Sequence, residues 1–174
     1  MNGREDKYQW AGPYLYSRQM VVVKNESEIQ TLSDLKGKRI AVQATTKAED
    51  LFLHNIKSGL PQMQQVDCIS TTNEIYAALR KSFVDAIAGH EAMLGSLVKE
   101  SKDAYRMLDE SIYKSELGVA FKKGTHEEVA ADLTETLKKL QREGITEKIV
   151  TKYGLDADEI LPELTAKPMN SASS

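Results

Sequence analysis

Over residues 11–24, AGPYLYSRQMVVVK, a Pro/Gly-marked turn followed by an apolar run predicts a strand ending in Met20 to Val23. The polar stretch SEIQTLSDLKGKR predicts a short helix or turn, with Leu32 and Leu35 tucked inward and Gly37 ending it. A strand follows at 39–43, then a helix at about 46–57 whose Ala48, Leu51, Phe52 and Ile56 form one apolar face, closed by Gly59 and Pro61. The alternation repeats: strand 65–69, helix 72–82 with Ile75, Ala78 and Leu79 inward, strand 84–88, and helix 91–99 with Ala92, Leu94, Leu97 and Val98 available for packing. Residues 106–108 and 117–121 read as two more strands. From Glu127 the period changes, with Val129, Leu133, Leu137 and Leu140 recurring on a helix to about Glu143. After Gly144 a second short helix runs through Tyr153, and the stretch from Ala157 onward thins into a polar tail for which no structure is expected.

Short apolar strands separated by amphipathic helices predict an α/β fold, with a mostly parallel sheet and helices on its faces. No internal repeat is present, and no linker separates two complete domains. The strands at 14–23 and 117–121 bracket a complete β/α unit, the arrangement expected where a chain crosses twice between lobes.

A length of 174 residues suits one globular domain of common size, and 41% apolar with 28% charged residues places the chain among ordinary soluble proteins. Twenty-six acidic against 23 basic side chains give a net charge of -3, so no field draws the chain to nucleic acid or an acidic membrane. Cys68, the single cysteine, lies in the apolar run QVDCIS and reads as a buried small hydrophobe that supplies neither an internal disulfide nor a metal site. No apolar run reaches transmembrane length, and residues 1–9 lack the apolar core and small-residue end of a signal peptide. The expectation is a cytoplasmic protein, or one shown without its leader.

Candidate chemistry gathers at QATTKAED. A helix start after a strand exposes backbone N–H groups that can receive a carboxylate or phosphate. Thr46 with Glu49 fits a capping box and Thr45 adds a hydroxyl at the same rim. Thr71 with Glu74 and Thr125 with Glu128 share the spacing, so the motif reads first as a structural cap. Its place at the carboxyl end of a strand in an α/β sheet favours ligand contact. Neither GxxxxGK, GxGxxG nor GxSxG occurs, and His54, His90 and His126 lack metal-ligand spacing. His90 directly follows the strand VDAIAG, again at a strand end. Tyr8, Trp10, Tyr14 and Tyr16 crowd the start with Pro13 and Arg18; packing of an edge and walling of a small-ligand cleft both remain open for them.

Four phrases in order carry a resemblance over about residues 4–155: GREDKYQWAGPYLYSRQMVVVK, SDLKGKRIAVQATTKAEDLFL, EIYAALRKSFVDAIAGHEAML and GVAFKKGTHEEVAADLTETLKKLQREGITEKIVTKYG. Together the chain resembles the bacterial extracellular solute-binding proteins of family 3, which serve polar amino acid uptake, the two-lobed type 2 periplasmic binding proteins. The resemblance implies one complete β/α lobe plus the hinge and the C-terminal part of the other lobe. Residues 1–22 would be a lobe 1 remnant with the first crossing, 23–116 lobe 2, 117–155 the return crossing and lobe 1 helices, and 156–174 the tail. It implies that Arg4 pairs with a ligand carboxylate, that Thr45 and Thr46 grip the same group, and that Trp10 and Tyr14 lie near an aromatic and Pro-Tyr signature at the hinge. His90 stands where the family has an aspartate for the ligand ammonium, with Glu91 as a nearby substitute, and Ala44 stands where glycine is common.

The implied role is the substrate-binding component of an ABC transporter for a polar amino acid or related small carboxylate, handed to membrane subunits at the periplasmic or extracellular face. It needs no catalysis, cofactor or metal. The alternatives are a cyclohexadienyl- or arogenate-type dehydratase on the same fold, with His90 or Glu91 as acid or base, and the ligand-sensing domain of a receptor. Because the chain starts almost on the arginine segment, exposed edges and an uncovered apolar face at 127–153 predict a homodimer, with exchange of elements between copies as one form of it.

Overall fold

The run Met20 to Val23 lies inside a 17-residue strand, β1 (Tyr8–Lys24), of a computed structural model that describes residues 6–54 and 59–164. A 3-10 turn at Leu32–Leu35 leads into β2 (Arg39–Gln43), α1 (Lys47–Leu53), β3 (Gln65–Ile69), α2 (Thr72–Arg80), β4 (Ala86–His90), α3 (Glu91–Glu100), β5 (Tyr105–Met107) and β6 (Tyr113–Lys122). Three helices complete the order: α4 (Glu127–Arg142), α5 (Ile145–Lys152) and α6 (Ala157–Ile160). The strands run β3-β2-β4-β1-β5, with β6 paired to β1. The chain forms two compact units, one of residues 17–115 and one drawn from residues 1–16 and 116–174.

In the first unit both sheet faces are covered. Met20 and Val22 of β1 join Ala41 and Ile87 in a core with Ile75, Leu79 and Leu94 of α2 and α3. Val21 and Val23 join Ile40, Val42, Ala86 and Ala88 in a second core with Leu35 and with Ala48 of α1. Successive strand residues point to opposite faces, so a strand buried on both sides is apolar at every position rather than at every second one. α1 therefore covers one face, and α2 with α3 the other.

The α/β expectation holds, with the sheet mixed rather than mostly parallel. β2 is parallel to β3 and β4, but β1 runs antiparallel to β4 and β5. The turn expected at Gly12 and Pro13 is not formed; β1 continues through it. Gly12, at φ 111°, lies where an added Cβ would come within 3.3 Å of Gly118 Cα, and its N–H donates to Thr134 Oγ1 at 3.0 Å. β4 sits two residues later than expected, because Asp85 is held at the strand entrance by Arg39. α1 is described only to Leu53, so the expected inward place of Ile56 lies outside the described residues. Ala92 is exposed, while Leu94 fills the core position on α3. Cys68 is exposed instead of buried: β3 is an edge strand with a neighbour on one side only.

In the other unit, Ala130, Val150 and Ile160 are the buried positions of α4, α5 and α6. Val129, read as part of the α4 face, is exposed, and Leu133, Leu137 and Leu140 are half-buried. The expected tail carries a further turn of helix at Ala157–Ile160. Asp156 caps it by accepting from the Asp158 N–H, and Gln141 Nε2 donates to the Pro162 carbonyl at 2.6 Å.

Candidate functional site

The connections leaving β2 and β4, adjacent and parallel, depart to opposite faces of the sheet: β2 feeds α1 and β4 feeds α3. Such a parting opens a crevice beyond the carboxyl ends of the strands. A cavity of about 380 Å³ occupies that place in the unit of residues 17–115, lined by Gln19, Gln43, Thr46, Thr72, Gly89, His90 and Met93. Six elements or their caps contribute to it. Gln43 ends β2, Thr46 precedes α1, Thr72 opens α2, Gly89 and His90 end β4, Met93 lies in α3, and Gln19 lies opposite His90 on β1.

His90 is fixed on both sides of its ring. Nδ1 accepts from the Ala92 N–H at 3.2 Å, making the imidazole the N-terminal cap of α3. An accepting Nδ1 carries no proton, so the neutral ring holds its hydrogen on Nε2, which donates to Ser17 Oγ at 2.8 Å. Glu91, weighed as a substitute for the missing aspartate, is buried against Arg18 through hydrogen bonds of 2.9 and 2.6 Å. Its carboxylate is therefore committed within the protein.

The threonine pair is arranged differently from a capping box. Thr45 takes a left-handed φ of 61°, and its N–H donates to the Glu49 carboxylate. Thr46 Oγ1 donates back to the Gln43 carbonyl at 2.6 Å and makes no capping bond to α1. Thr46 is half-buried on the cavity, whereas Thr45 is exposed and is not among its lining residues. Of the other two expected boxes, Thr71 accepts from the Glu74 N–H, while Thr125 donates to the Lys122 carbonyl instead. A box that was not expected forms at Thr31, where Asp34 receives the N–H groups of Gln30 and Thr31. Those bonds hold the Asp34 carboxyl below the usual range.

Met93 is anchored from α2. Tyr76 donates its hydroxyl to the Met93 carbonyl at 2.7 Å, and Thr72 Oγ1 lies 3.7 Å from the Met93 sulfur. Burial pushes the Tyr76 phenol up from its ordinary value. A Cβ at Gly89 would come within 2.7 Å of the Met93 methyl, so glycine there lets the methionine lie over the strand end.

Of the sequence-derived candidates, the cavity brings together Thr46 and His90. Trp10 and Tyr14 are half-buried on the part of β1 that belongs to the other unit, where Tyr8 and Trp10 meet edge to face at 5.7 Å. Arg4 lies outside the described residues. Gln19, Gln43, Thr72 and Met93 were not singled out from sequence. Gln43 and Thr72 carried a signal, since both stand at strand-to-helix junctions; Gln19 carried none before the β1–β4 register was known. Among the described residues, no three His, Cys, Asp or Glu side chains are grouped to hold a metal ion.

The model of a family described as ABC transporter, phosphonate, periplasmic substrate-binding protein matches residues 10–159. The L-cystine-binding protein TcyJ of Escherichia coli is 29% identical over 154 residues, covering 86% of this chain and 55% of that protein. The glutamate-binding protein GluB of Corynebacterium glutamicum is 26% identical over 171 residues, covering 92% of this chain and 55% of that protein. The chain thus spans about half the length of these curated relatives. The crystal structure of the substrate binding protein of an amino acid ABC transporter aligns with a TM-score of 0.62 at 28% identity, over 88% of this chain and 66% of that one.

Proposed function

This chain belongs to the periplasmic substrate-binding protein family of ABC transporters, and from that premise we propose that it binds a polar amino acid or related small carboxylate and releases it unchanged to membrane subunits of a transporter. The observation that carries the reading is the cavity at the parting of β2 and β4, a mainly apolar surface with polar side chains at its rim. Its volume lies in the range of small-molecule sites, and a few polar groups converge on it. Thr46 and His90 are ligand-side residues in this reading, while Arg4, Trp10, Tyr14 and Thr45 are proposed as contacts on the resemblance alone. The functional location is the periplasmic or extracellular face, in keeping with the family; among the described residues no helix is long and apolar enough to cross a membrane.

Binding without catalysis is supported by the state of the two residues on which a dehydratase would depend. Glu91 is paired with Arg18, and both nitrogens of His90 have protein partners. The test is titration of ligand-stripped protein with L-cystine, L-glutamate and methylphosphonate, followed by native mass spectrometry. One molecule bound per chain and recovered with its mass unchanged is expected. No adduct with any of the three, or recovery of a dehydrated product, overturns the reading.

A homodimer, with or without exchange of elements, completes the proposal. It is supported by Val129, Ile149 and Tyr153 of the second unit, which are 52%, 53% and 74% exposed. Sedimentation of the wild type is expected to give twice the chain mass, and Ile149→Lys to give the single mass. A wild type that sediments as a monomer rejects this assembly.

A further inference from the structure

Gln19 is distinguished from every other residue lining the cavity. It is 8% exposed, yet none of the hydrogen bonds among the described residues involves its side chain. Only its backbone is engaged, the carbonyl accepting from the Ile112 N–H at 2.8 Å. The residue is nearly buried but its amide is held by no protein group among the described residues, so whatever part of the amide still faces solvent is free to be taken up by a ligand. No fully occluded side-chain nitrogen or oxygen lacks a partner among the described residues. The Gln19 amide is therefore not sealed in the core, and the opening it has is the cavity it lines.

The electrostatics of the same wall decide what the amide would meet. Gln19, Gln43, Thr46, Thr72, His90 and Met93 bring no carboxylate to the cavity, and the adjacent Glu91 is neutralised by Arg18. Thr72 is the first residue of α2 and His90 the cap of α3, helices of 9 and 10 residues, so two positive helix ends open on the site. An ammonium placed there would be uncompensated, whereas an oxygen acceptor would be welcomed by the helix ends and by an amide N–H.

We propose that the Gln19 side-chain amide is a ligand-binding group, and that the part of the ligand it reads is an oxygen acceptor, such as a carboxylate or phosphonate, and not an ammonium. The proposal rests on the cavity being the ligand site. It is tested with Gln19→Leu and Gln19→Glu, each titrated with whichever of L-cystine, L-glutamate and methylphosphonate the wild type binds best, alongside melting of the ligand-free proteins. Gln19→Leu is expected to bind about tenfold more weakly or worse, while its ligand-free melting temperature stays level or rises, because no internal hydrogen bond is lost. Gln19→Glu is expected to bind more weakly still, through repulsion between carboxylate and acceptor. Unchanged affinity in Gln19→Leu, or weaker binding accompanied by a lower ligand-free melting temperature, overturns the contact. Tighter binding by Gln19→Glu overturns the acceptor assignment. A wild type that binds none of the three removes the functional reading and this inference with it; a wild type that binds while Gln19→Leu binds equally removes the inference alone.

Discussion

Arg18 and Glu91 are 73 positions apart in sequence, with side chains only 9% and 10% exposed. The pair joins β1 to the first residue of α3, one register step from the Gln19–His90 pairing. Removing one partner of a buried pair leaves the other charge desolvated, so Glu91→Ala is expected to lose about 3 kcal/mol or more in denaturant unfolding. Arg18→Met combined with Glu91→Leu should lie closer to the wild type, since both charges then leave together. A double variant as unstable as Glu91→Ala would show that the pair does more than compensate its own burial. Nothing local announces this pair: Arg18 sits in a run of polar and aromatic residues, Glu91 at an ordinary helix start, and only the β1–β4 register brings them together. His90 shows the reverse. Its unusual place at a strand end was legible, whereas its engagement by Ser17 and Ala92 was not.

Among the elements, the entrance of β2 and β4 is held by charge. Arg39 donates Nη2 to Asp85 at 2.7 Å, and its backbone N–H donates to the same carboxylate at 2.9 Å. Chiefly through the Arg39 side chain, the Asp85 carboxyl is held below its ordinary range, and Lys47 does the same for Asp50. A carboxyl whose folded value is depressed contributes stability in full above its unfolded value, and loses it as pH falls through the folded one. Asp85→Asn is therefore expected to cost about 1 kcal/mol near neutrality and to flatten the acid side of a stability-versus-pH curve. An acid limb as steep as the wild type would assign that dependence to other carboxyls. Cap chemistry was only partly legible at this scale. The TTxxE spacing suggested a box, but the positive φ of Thr45 turns its N–H to Glu49 and leaves the Thr46 hydroxyl to the Gln43 carbonyl.

For the molecule as a whole, the α/β class was legible because its evidence is periodic and local: buried strands, amphipathic helices, and turns between them. The type 2 periplasmic-binding-protein-like form of it came only from the resemblance carried by four phrases of the sequence. The sheet order and the antiparallel course of β1 were not, since each depends on pairings remote in sequence. The cavity shares that limit, its lining drawn from positions 19 to 93. One remaining feature gives access to the site. Cys68 is the single cysteine of the chain, it is exposed, and it pairs with Val42 one register step before the Gln43 row. Partial burial and the Glu49 carboxylate push its thiol up, so alkylation should be slow at neutral pH and quicken in mild alkali. The protein thus carries a native attachment point for one environment-sensitive dye beside the strand that supplies Gln43, and a change in the dye's colour on adding ligand is the expected optical sign of binding.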